Sequence, residues 1–466
     1  MTPMTMKRQR RPKPVKHRWL DQWLVAKGEA LHRLVERTTA FIQHHEDATG
    51  ARQRGRRPDD KVRHQRLVEV VTANLAYAVL NPPETGRIAI DTRQGEAGRS
   101  RYDNPAVAPK TLRKLTEHLL VLDIIDFNRS RAMRGEKDSI SPSDWFRTKV
   151  QECAVSLSDF ERDLDQELVI LTRTKRGRFD PFADTQAPTK RERVSYRETA
   201  QTTTMRQQMR DLNGWLAAAD VTFVDDGGPL VDPYDRLMRR YFIVRDDQEE
   251  RFDQSGRLFG GFWQTLRSDR RQGIRINGET VAVLDYSSMF TRLAYAELGI
   301  SPPLGDLYGI AGAEGYRSGI KLAMNCFFFD GSNLRKKWPS GLGVGVGDDE
   351  AAKNGEVPAA EYQARLPAGW TVKKAKQAIL ARHPALAEAF GRGIGYRLMH
   401  RESEVLLAVL EELRRRDIVG LGLHDGLLVP SARATEAQLV MEDVAEVTTG
   451  YKLPVTLKLL DGEVGR

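Results

Sequence analysis

The spacing of apolar residues predicts that the first third of the chain is mainly helical. One helical stripe falls between Trp19 and about His45, a second between residues 67 and 79, and a third follows Pro109, a residue type that suits the first turn of a helix. The apolar members of these stripes are Leu20, Trp23, Leu24, Leu31 and Leu34; Leu67, Val70, Val71, Leu75 and Val79; and Leu112, Leu115, Leu119 and Leu122. Each stripe recurs every three or four residues, so we expect each helix to bury one face.

Residues 61–155 combine two of these stripes with candidate strands. Residues 87–90 and 123–127 have strand-like patterns, and Ser139 begins a return strand after the basic loop 128–135. Two helices followed by a hairpin with a basic tip resemble a winged helix. We therefore expect a winged-helix-like domain that contacts DNA, with protein contacts as the open alternative. Its candidate DNA contacts are Lys110, Arg113, Lys114 and the arginines of the loop.

The charge of the chain favours a polyanionic partner. Its formal net charge is +9, with basic runs at residues 7–16 and 52–66, and we expect the second run to be a linker or a phosphate-contacting tail. No apolar segment of secretory or membrane-spanning length occurs. Cys153 and Cys326 are the two cysteines, which excludes a disulfide framework and suits a reducing compartment. We expect a cytoplasmic protein that binds nucleic acid and no membrane.

Two aspartates end predicted strands in the C-terminal half. The apolar strand 281–284 stops abruptly at Asp285, and a helical run follows. Residues 417–430 predict a β-hairpin with Asp425 at its tip. A carboxylate at the end of a strand is held in place well enough to bind a metal ion, whereas Asp285 alone also fits a cap of the following helix.

Two basic residues lie between these aspartates in sequence. Arg317 and Lys321 are four residues apart, so they share one face of a helix. They are candidates for phosphate binding, and the alternative is that both are simply solvated on that face. Two carboxylates that bind divalent metal, together with fixed cations for a polyphosphate, are the parts of an in-line phosphoryl-transfer site. Oxygen ligands and substrate phosphates favour Mg²⁺, as two ions, with Mn²⁺ as the alternative.

Four short motifs here resemble those of family A DNA polymerases, the DNA polymerase I type. Residues 285–292 (Asp-Tyr-Ser-Ser-Met-Phe-Thr-Arg) resemble the first palm motif, DYSQIELR, and residues 317–331 resemble the fingers helix with its R-x3-K-x7-Y/F spacing. Residues 423–425 (Leu-His-Asp) resemble the last palm motif, VHDE, and residues 253–266 resemble the GRLSS and NLQNIP segment. Residues 253–259 are also similar to the DxxGRxY segment of single-subunit, phage-type RNA polymerases. The resemblance covers about residues 235–460.

The resemblance implies an α+β fold, the polymerase right hand, in which an antiparallel palm sheet carries helical fingers and thumb. A mainly helical, winged-helix-like region precedes it. We expect a basic arm and helix over residues 1–60, a winged-helix-like domain over 61–155, a mainly helical linker and thumb over 156–250, and the palm over 251–466 with fingers inserted at about 303–400. The glycine-rich stretch 341–347 is expected to be a loop of that insertion, because it lacks the flanking strand and helix of a dinucleotide-binding loop.

The family's site residues transfer to matching positions. Asp285 and Asp425 would hold the two Mg²⁺ ions, with the carbonyl of Tyr286 as a further ligand. The implied nucleotide-binding residues are Arg317, Lys321, Phe329, Phe290 and Tyr286, with Lys321 also a proton donor to the leaving group. Phe327 and Phe328 directly precede Phe329, so a slip of one residue is open. The implied nucleic-acid contacts are Arg257, Gln264 and His424.

Two departures from the family concern glutamates. Phe290 replaces the glutamate of the first motif, and Gly426 replaces the glutamate after His-Asp. A ring at Phe290 would crowd a ribose 2′-hydroxyl, and phenylalanine in place of tyrosine at 329 removes a hydroxyl partner for it. The phenylalanines at 290 and 329 therefore both favour deoxynucleotides.

Taken together, the resemblance implies template-directed nucleotidyl transfer on a DNA template and primer with nucleoside triphosphates. We expect a DNA-dependent DNA polymerase without a proofreading exonuclease, serving replication, repair or priming of a plasmid or mobile element. A single-subunit RNA polymerase or primase is the alternative of the same chemistry, and a non-catalytic DNA-binding replication or regulatory factor is the alternative of another class. The sequence identifies no partner protein. Retention of both aspartates argues against a decayed site, because two close carboxylates destabilise a fold without a metal.

Overall fold

The chain forms two compact units, Met1–Glu167 and Leu168–Arg466. The computed structural model describes residues 18–52, 54–92, 100–129, 137–175, 179–180, 185–186, 190–245, 251–332, 335–339, 342–344 and 364–460. The predicted basic arm, most of the basic loop 128–135 and most of the glycine-rich stretch lie outside these residues. In the part that the structure describes, no helix is both long and apolar enough to cross a membrane.

In its described residues, the first unit combines α-helices with short strands. In chain order its elements are β1 (Arg18–Trp19), β2 (Leu24–Ala26), α1 (Glu29–Thr49), α2 (Pro58–Leu80), β3 (Ile88–Ala89), α3 (Pro109–Val121), β4 (Ile125–Asn128), β5 (Ser139–Pro142), α4 (Asp144–Glu152) and β6 (Phe160–Arg162). One sheet has the order β1-β3-β5-β4, and β2 pairs separately with β6. Apolar residues from the helices and both sheets form one core.

The predicted helix from Trp19 to His45 begins ten residues later than expected, at Glu29. Residues 18–26 instead form β1 and β2, which pair with β3 and β6. Gly28 marks the change, because its backbone is extended and the N–H groups of Lys27 and Gly28 both donate to the carbonyl of Asp159. Pairing with distant strands therefore outweighs the local helical spacing.

Part of the second basic run is also helical, so the linker prediction for residues 52–66 is wrong for its second half. Helix α2 begins at Pro58, and Asp59 and Asp60 lie in its first turn. Proline suits the first helical position, and carboxylates there complement the positive end of the helix dipole. Residues 52 and 54–57 remain the connection between α1 and α2.

The predicted hairpin of the first unit is confirmed. Strands β4 and β5 pair antiparallel, and β5 also pairs with β3. Helix α3 buries Leu112, Leu115 and Leu119 against this sheet, while Lys110, Arg113 and Lys114 are exposed. Between β3 and β4, the described residues contain one helix, so the winged-helix assignment stays a prediction.

The second unit contains mixed helices and several small sheets. In chain order its elements are β7 (Val169–Lys175), β8 (Phe179–Asp180), β9 (Thr185–Gln186), β10 (Lys190–Arg193), α5 (Ala200–Ala218), β11 (Val221–Phe223), β12 (Met238–Val244), β13 (Ser255–Gly260), α6 (Phe262–Thr265), β14 (Ile274–Ile276), β15 (Val281–Tyr286), α7 (Met289–Glu297), α8 (Arg317–Phe329), β16 (Gly343–Val344), β17 (Arg365–Leu366), α9 (Val372–Arg382), α10 (Gly395–Arg415), β18 (Leu421–Gly422), β19 (Gly426–Pro430), α11 (Ala434–Thr449) and β20 (Val455–Leu459).

The described parts of residues 156–250 are not mainly helical as expected. They contain one long helix, α5, together with β7 and β12, which pair in parallel within the sheet β10-β7-β12-β13. The strand β7 carries the apolar and β-branched run Val-Ile-Leu-Thr, and β12 ends in Tyr-Phe-Ile-Val, both of which favour extended structure. The thumb assignment for this region stays a prediction.

A second four-stranded sheet has the order β18-β19-β15-β20. Strand β15 is antiparallel to both of its neighbours, so its backbone is hydrogen-bonded on two sides. The amphipathic helix α10 packs against β13 of the other sheet and against α7, α8 and α11. The indole of Trp263 donates to the carbonyl of Gly422 at 2.8 Å, which ties α6 to the edge strand β18.

Candidate active site

One sheet carries both strand-tip aspartates, as the sequence predicts. In the ladder of β15 and β19, Asp285 is directly opposite Gly426. The next backbone N–H, that of Tyr286, donates to the carbonyl of Asp425 at 3.0 Å. Asp285 therefore lies at the end of the central strand, and Asp425 lies in the turn of the neighbouring β18–β19 hairpin.

Asp285 does not cap the helix that follows it. The N-cap of α7 is Ser288, whose backbone is left-handed with φ 55° and ψ 38°. Asp285 lies three positions before this residue, and its carbonyl accepts from the hydroxyl of Thr456 at 3.1 Å. The alternative of a helix-capping aspartate is therefore wrong.

The glycine after Asp425 has a steric reason. A Cβ atom at Gly426 would lie 2.1 Å from Oδ1 of Asp285 and 2.2 Å from the carbonyl oxygen of Leu284. Both distances are far inside van der Waals contact, so a residue with a side chain, such as glutamate, does not fit this arrangement of strands. Glycine at 426 allows the two strands to bring the Asp285 carboxylate against the hairpin.

The two aspartates interact electrostatically. Burial, first, and the nearby Asp425, second, raise the pKa of Asp285, while Arg271 and Lys321 act in the opposite direction. A raised pKa means that the ionised carboxylate is held at a cost in free energy. A cation placed between the two carboxylates would remove that cost.

A cavity of about 310 Å³ opens beside the aspartates, and we call it the carboxylate cavity. It is lined by Arg257, Tyr286, Ser288, Met289, Phe290, Tyr308, Lys321, Asn325, Phe329, Glu402, His424 and Asp425. Seven of the residues selected from the sequence are in this set: Arg257, Tyr286, Phe290, Lys321, Phe329, His424 and Asp425. Asp285 adjoins it, as its electrostatic interaction with Asp425 and Lys321 indicates.

Two other selected residues of this unit are used elsewhere. Arg317, at the start of α8, forms two hydrogen bonds of 3.0 and 3.2 Å with the carboxylate of Asp306. Gln264 donates to the carbonyls of Leu258 and Gly422 at 3.2 and 3.0 Å, which joins β13 to β18. Neither residue lines the carboxylate cavity. Lys110, Arg113 and Lys114 belong to the first unit.

Aromatic rings form one wall of the cavity. Phe290 and Phe329 stack with ring centres 6.0 Å apart and planes at 28°, and the guanidinium of Arg257 lies 5.5 Å from the centre of the Phe290 ring. Phe327 and Phe328 are buried, whereas Phe329 is 37% exposed. Of the three consecutive phenylalanines, Phe329 is therefore the one on the cavity wall.

The side chain of Tyr286 turns away from the cavity. Its hydroxyl donates to the carbonyl of Met441 at 2.6 Å and is buried there. The backbone of Tyr286, rather than its ring, is what this residue can offer to a ligand. This agrees with a role for its carbonyl and does not support a contact between its ring and a nucleotide.

Glu402 is a cavity residue that sequence reasoning missed. Its carboxylate accepts two hydrogen bonds from Arg257, at 2.7 and 2.9 Å. Burial raises the pKa of Glu402 to about 7, although Arg257 acts to lower it. A signal was present, because Glu402 falls three residues before Val405 and four before Leu406, on the apolar face of α10. A carboxylate on such a face needs a buried partner.

Two polar atoms of the cavity residues are buried without a hydrogen bond. They are Oδ1 of Asn325 and Nδ1 of His424. Burial, first, and then Arg257 lower the pKa of His424, so its ring is neutral at pH 7. A buried acceptor and a ring nitrogen without partners are available to a ligand in the cavity.

The carboxylates fit a divalent cation of the magnesium type. Among the described residues, no cluster of three or more His, Cys, Asp or Glu side chains could hold a metal ion. Mg²⁺ is usually bound by one or two carboxylates, with water and substrate phosphates as the remaining ligands, so it does not require such a cluster. Asp285, Asp425 and the Tyr286 carbonyl supply oxygen donors of that kind.

Comparisons with known proteins yield a structural match only. No family model matches the chain, and no curated protein sequence does. Among solved structures, the chain is similar to the POL domain of Pol1 from M. smegmatis in complex with DNA primer-template and dNTP, with 10% sequence identity and a TM-score of 0.26. The match covers 93% of this chain and 66%, just under two thirds, of the polymerase domain.

Proposed function

We propose that the protein is a nucleotidyltransferase, and specifically a template-directed DNA polymerase. The observation that carries the proposal is the meeting of Asp285 and Asp425 across two adjacent strands, beside a cavity that Lys321 also lines. The raised pKa of Asp285 supports it, because burial and a second carboxylate create a demand for a cation. The similarity of the motifs around these residues to family A polymerases points in the same direction.

Asp285 and Asp425 would hold two Mg²⁺ ions, with Mn²⁺ as the alternative, and the Tyr286 carbonyl would be a further ligand. Bound ions would make a primer 3′-hydroxyl more acidic and neutralise a pyrophosphate leaving group. The ammonium of Lys321 would bind the triphosphate and provide a proton to the leaving group. Arg317 would have to leave its ion pair with Asp306 before it could bind the outer phosphates.

The remaining residues would orient the substrates. The Phe290 and Phe329 rings, which form one wall of the cavity, would contact the sugar and base of the incoming nucleotide from one side. Arg257, which Glu402 holds in place, and His424 would lie near the primer end. In the right-hand arrangement that we propose, the β18-β19-β15-β20 sheet is the palm and α8 belongs to the fingers.

Primer extension on a DNA template with Mg²⁺ tests the proposal. Wild-type protein should extend the primer, and Asp425→Ala should lose about a thousandfold or more in rate because a principal metal ligand is gone. Asp443→Ala, an exposed aspartate on α11, is the matched control and should retain activity.

Other outcomes of the same assay would redirect the proposal. Equal activity of wild type and Asp425→Ala would refute the metal site. Inactivity of both would favour the non-catalytic DNA-binding factor, and synthesis without a primer would favour the primase alternative.

The sugar preference is a second measurable part of the proposal. The Phe290 ring lines the cavity and stacks on Phe329, where it leaves less room for a ribose 2′-hydroxyl. We expect incorporation of dNTPs to exceed that of rNTPs on one primed template, and Phe290→Ala to reduce this preference by about tenfold, the size of one lost steric contact. A wild-type preference for rNTPs would contradict the assignment.

A further inference from the structure

The second basic run and the start of α3 enclose a cavity in the first unit. We call it the arginine cavity; its volume is about 490 Å³. Its cationic lining residues are Arg52, Arg54, Arg56, Arg57, Arg63 and Lys114, against the two carboxylates Glu46 and Asp60. None of these residues lines the carboxylate cavity, and the proposed polymerase chemistry leaves them without a role in catalysis.

A buried glutamate organises part of this charge. The Glu46 side chain is 5% exposed and pairs with Arg56 at 2.6 Å and with Arg52 at 3.4 Å. Burial alone would raise the pKa of Glu46, but the hydrogen bond and charge of Arg56, together with the charges of Arg52 and His64, lower it. Glu46 is thus ionised and fixes two guanidinium groups at the cavity wall.

The other cations of the cavity are not neutralised in this way. Within the described parts of the chain, no ion pair joins Arg54, Arg57, Arg63 or Lys114 to a carboxylate. Burial, first, and Arg56, second, lower the pKa of His64, which also lines the cavity, to about 4, so this ring is neutral at pH 7. The arginine cavity therefore carries a net positive charge that its own carboxylates do not balance.

The N-terminus of α3 adds backbone donors to the same space. Ala108 is its N-cap and its side chain accepts no hydrogen bond from the first turn, and because Pro109 has no N–H, the donors begin at Lys110. At the start of α2, by contrast, Asp59 and Asp60 already complement the helix dipole. Ala108 and Thr111 line the cavity. The first backbone N–H groups of a helix have no acceptor within it, and they carry the positive end of the helix dipole.

We propose that the arginine cavity binds a terminal phosphate: a phosphate monoester or a polyphosphate. The cations come from the α1–α2 connection, from α2 and from α3, so they surround one volume instead of forming a row. A terminal phosphate has a charge near −2 and three oxygens, and it can accept from several such donors at once. An internal phosphodiester offers fewer oxygens and less charge. The two sources of this group are a 5′-phosphorylated nucleic-acid end and a free polyphosphate.

The test measures binding to the full-length protein without metal or nucleoside triphosphate, so it does not depend on polymerase activity. A 3′-labelled oligonucleotide is compared with a 5′-phosphate and with a 5′-hydroxyl, and inorganic pyrophosphate is titrated separately by calorimetry. We expect wild type to prefer the 5′-phosphate by about tenfold, the effect of one or two charged hydrogen bonds. The double variant Arg54→Ala/Lys114→Ala should lose this preference.

Arg113→Ala is the matched control, because Arg113 is exposed on α3 beside Lys114 but does not line the cavity. It should keep the preference for the phosphorylated end even if overall DNA affinity falls. Arg63→Gln is a separate single substitution on α2. It should also weaken the preference for the 5′-phosphorylated oligonucleotide.

A free polyphosphate as the source has its own signature. The two oligonucleotides would then bind equally, while pyrophosphate binding would be lost in the double variant and retained in Arg33→Ala, an exposed residue of α1 that does not line the cavity. Binding of both probes that is the same in wild type and in the double variant would overturn the proposal.

Discussion

Glu46 in the first unit and Glu402 in the second are similar residues in opposite electrostatic states. Each side chain is almost fully shielded, at 5% and 1% exposure, and each is paired with an arginine. The pKa of Glu46 is lowered, whereas that of Glu402 is raised to about 7. Burial therefore does not decide the charge of a carboxyl group by itself.

The difference comes from what covers each carboxylate. Arginine side chains cover Glu46, and Arg52 and Arg56 both favour its ionised form. Glu402 lies on the buried face of α10 and has one arginine partner, and the charges of Asp425 and Lys321 act on its pKa in opposite directions. The arginine cavity around Glu46 thus carries an excess of positive charge. In the carboxylate cavity around Glu402, ionising a carboxyl group costs free energy. The first suits an anion and the second a cation.

Of the predicted effects, the largest should come from removing Lys321, a cation that lines the carboxylate cavity. Lys321→Ala is expected to reduce the rate of nucleotide incorporation by about a hundredfold or more, the cost of losing one charged group at a transferring phosphate. Arg317→Ala, on the same helix face but bound to Asp306, should reduce it less. Steady-state kinetics on both variants measure this, and an equal loss would mean that Arg317 leaves Asp306 when substrate binds.

The two glutamates should respond to pH in opposite directions. The folded pKa of Glu402, about 7, lies above its unfolded value, so its contribution to stability is complete below pH 4.5 and is lost as pH rises through 7. Glu402→Gln should remove this fall, which amounts to about 3 kcal/mol. For Glu46 the pKa is lowered, so its contribution is present at neutral pH and is lost as pH falls through the folded value.

Denaturant unfolding of wild type, Glu402→Gln and Glu46→Gln from about pH 2 to pH 9, without divalent metal, measures both effects. Parallel pH profiles for the two variants would show that the two carboxyl groups do not differ.

The smallest expected effect concerns the contact that places Asp285. Gly426→Ala should destabilise the protein by roughly 1–3 kcal/mol, because the new methyl group collides with the Asp285 carboxylate and the Leu284 carbonyl. Gly214→Ala in the exposed face of α5 has open space around it and should instead gain about 0.5–1 kcal/mol. Chemical denaturation of both variants decides this, and a neutral Gly426→Ala would place Asp285 elsewhere.

The sequence predicted the elements whose signal is local. The strand ending at Asp285, the hairpin around Asp425 and the helix with Lys321 each have a clear apolar pattern over a few residues, and each is confirmed. The proximity of Asp285 and Asp425 was expected because both were predicted to end strands of the same sheet, and β15 and β19 do pair. The assigned chemistry of these residues stays a prediction.

The sequence did not predict the parts that depend on distant partners. Residues 18–26 have helical spacing but pair as strands with β3 and β6, and the segment around β7 pairs with β12, about 70 residues away. The pairing of Arg257 with Glu402 joins β13 to α10 across 145 positions. The local pattern can show that a residue such as Glu402 is buried, but it does not identify the distant residue with which it pairs.

The central position of β15 has a consequence for the motions of the proposed site. Strand β15 is hydrogen-bonded to β19 on one side and to β20 on the other, so its amides are released only when a large part of the sheet opens. Amide hydrogens of residues 282–286 are therefore expected to exchange with solvent among the slowest in the unit. The carboxylate of Asp285 would keep its place through fluctuations of α8, and substrate capture could rearrange the cationic side of the cavity while the acidic side stays fixed.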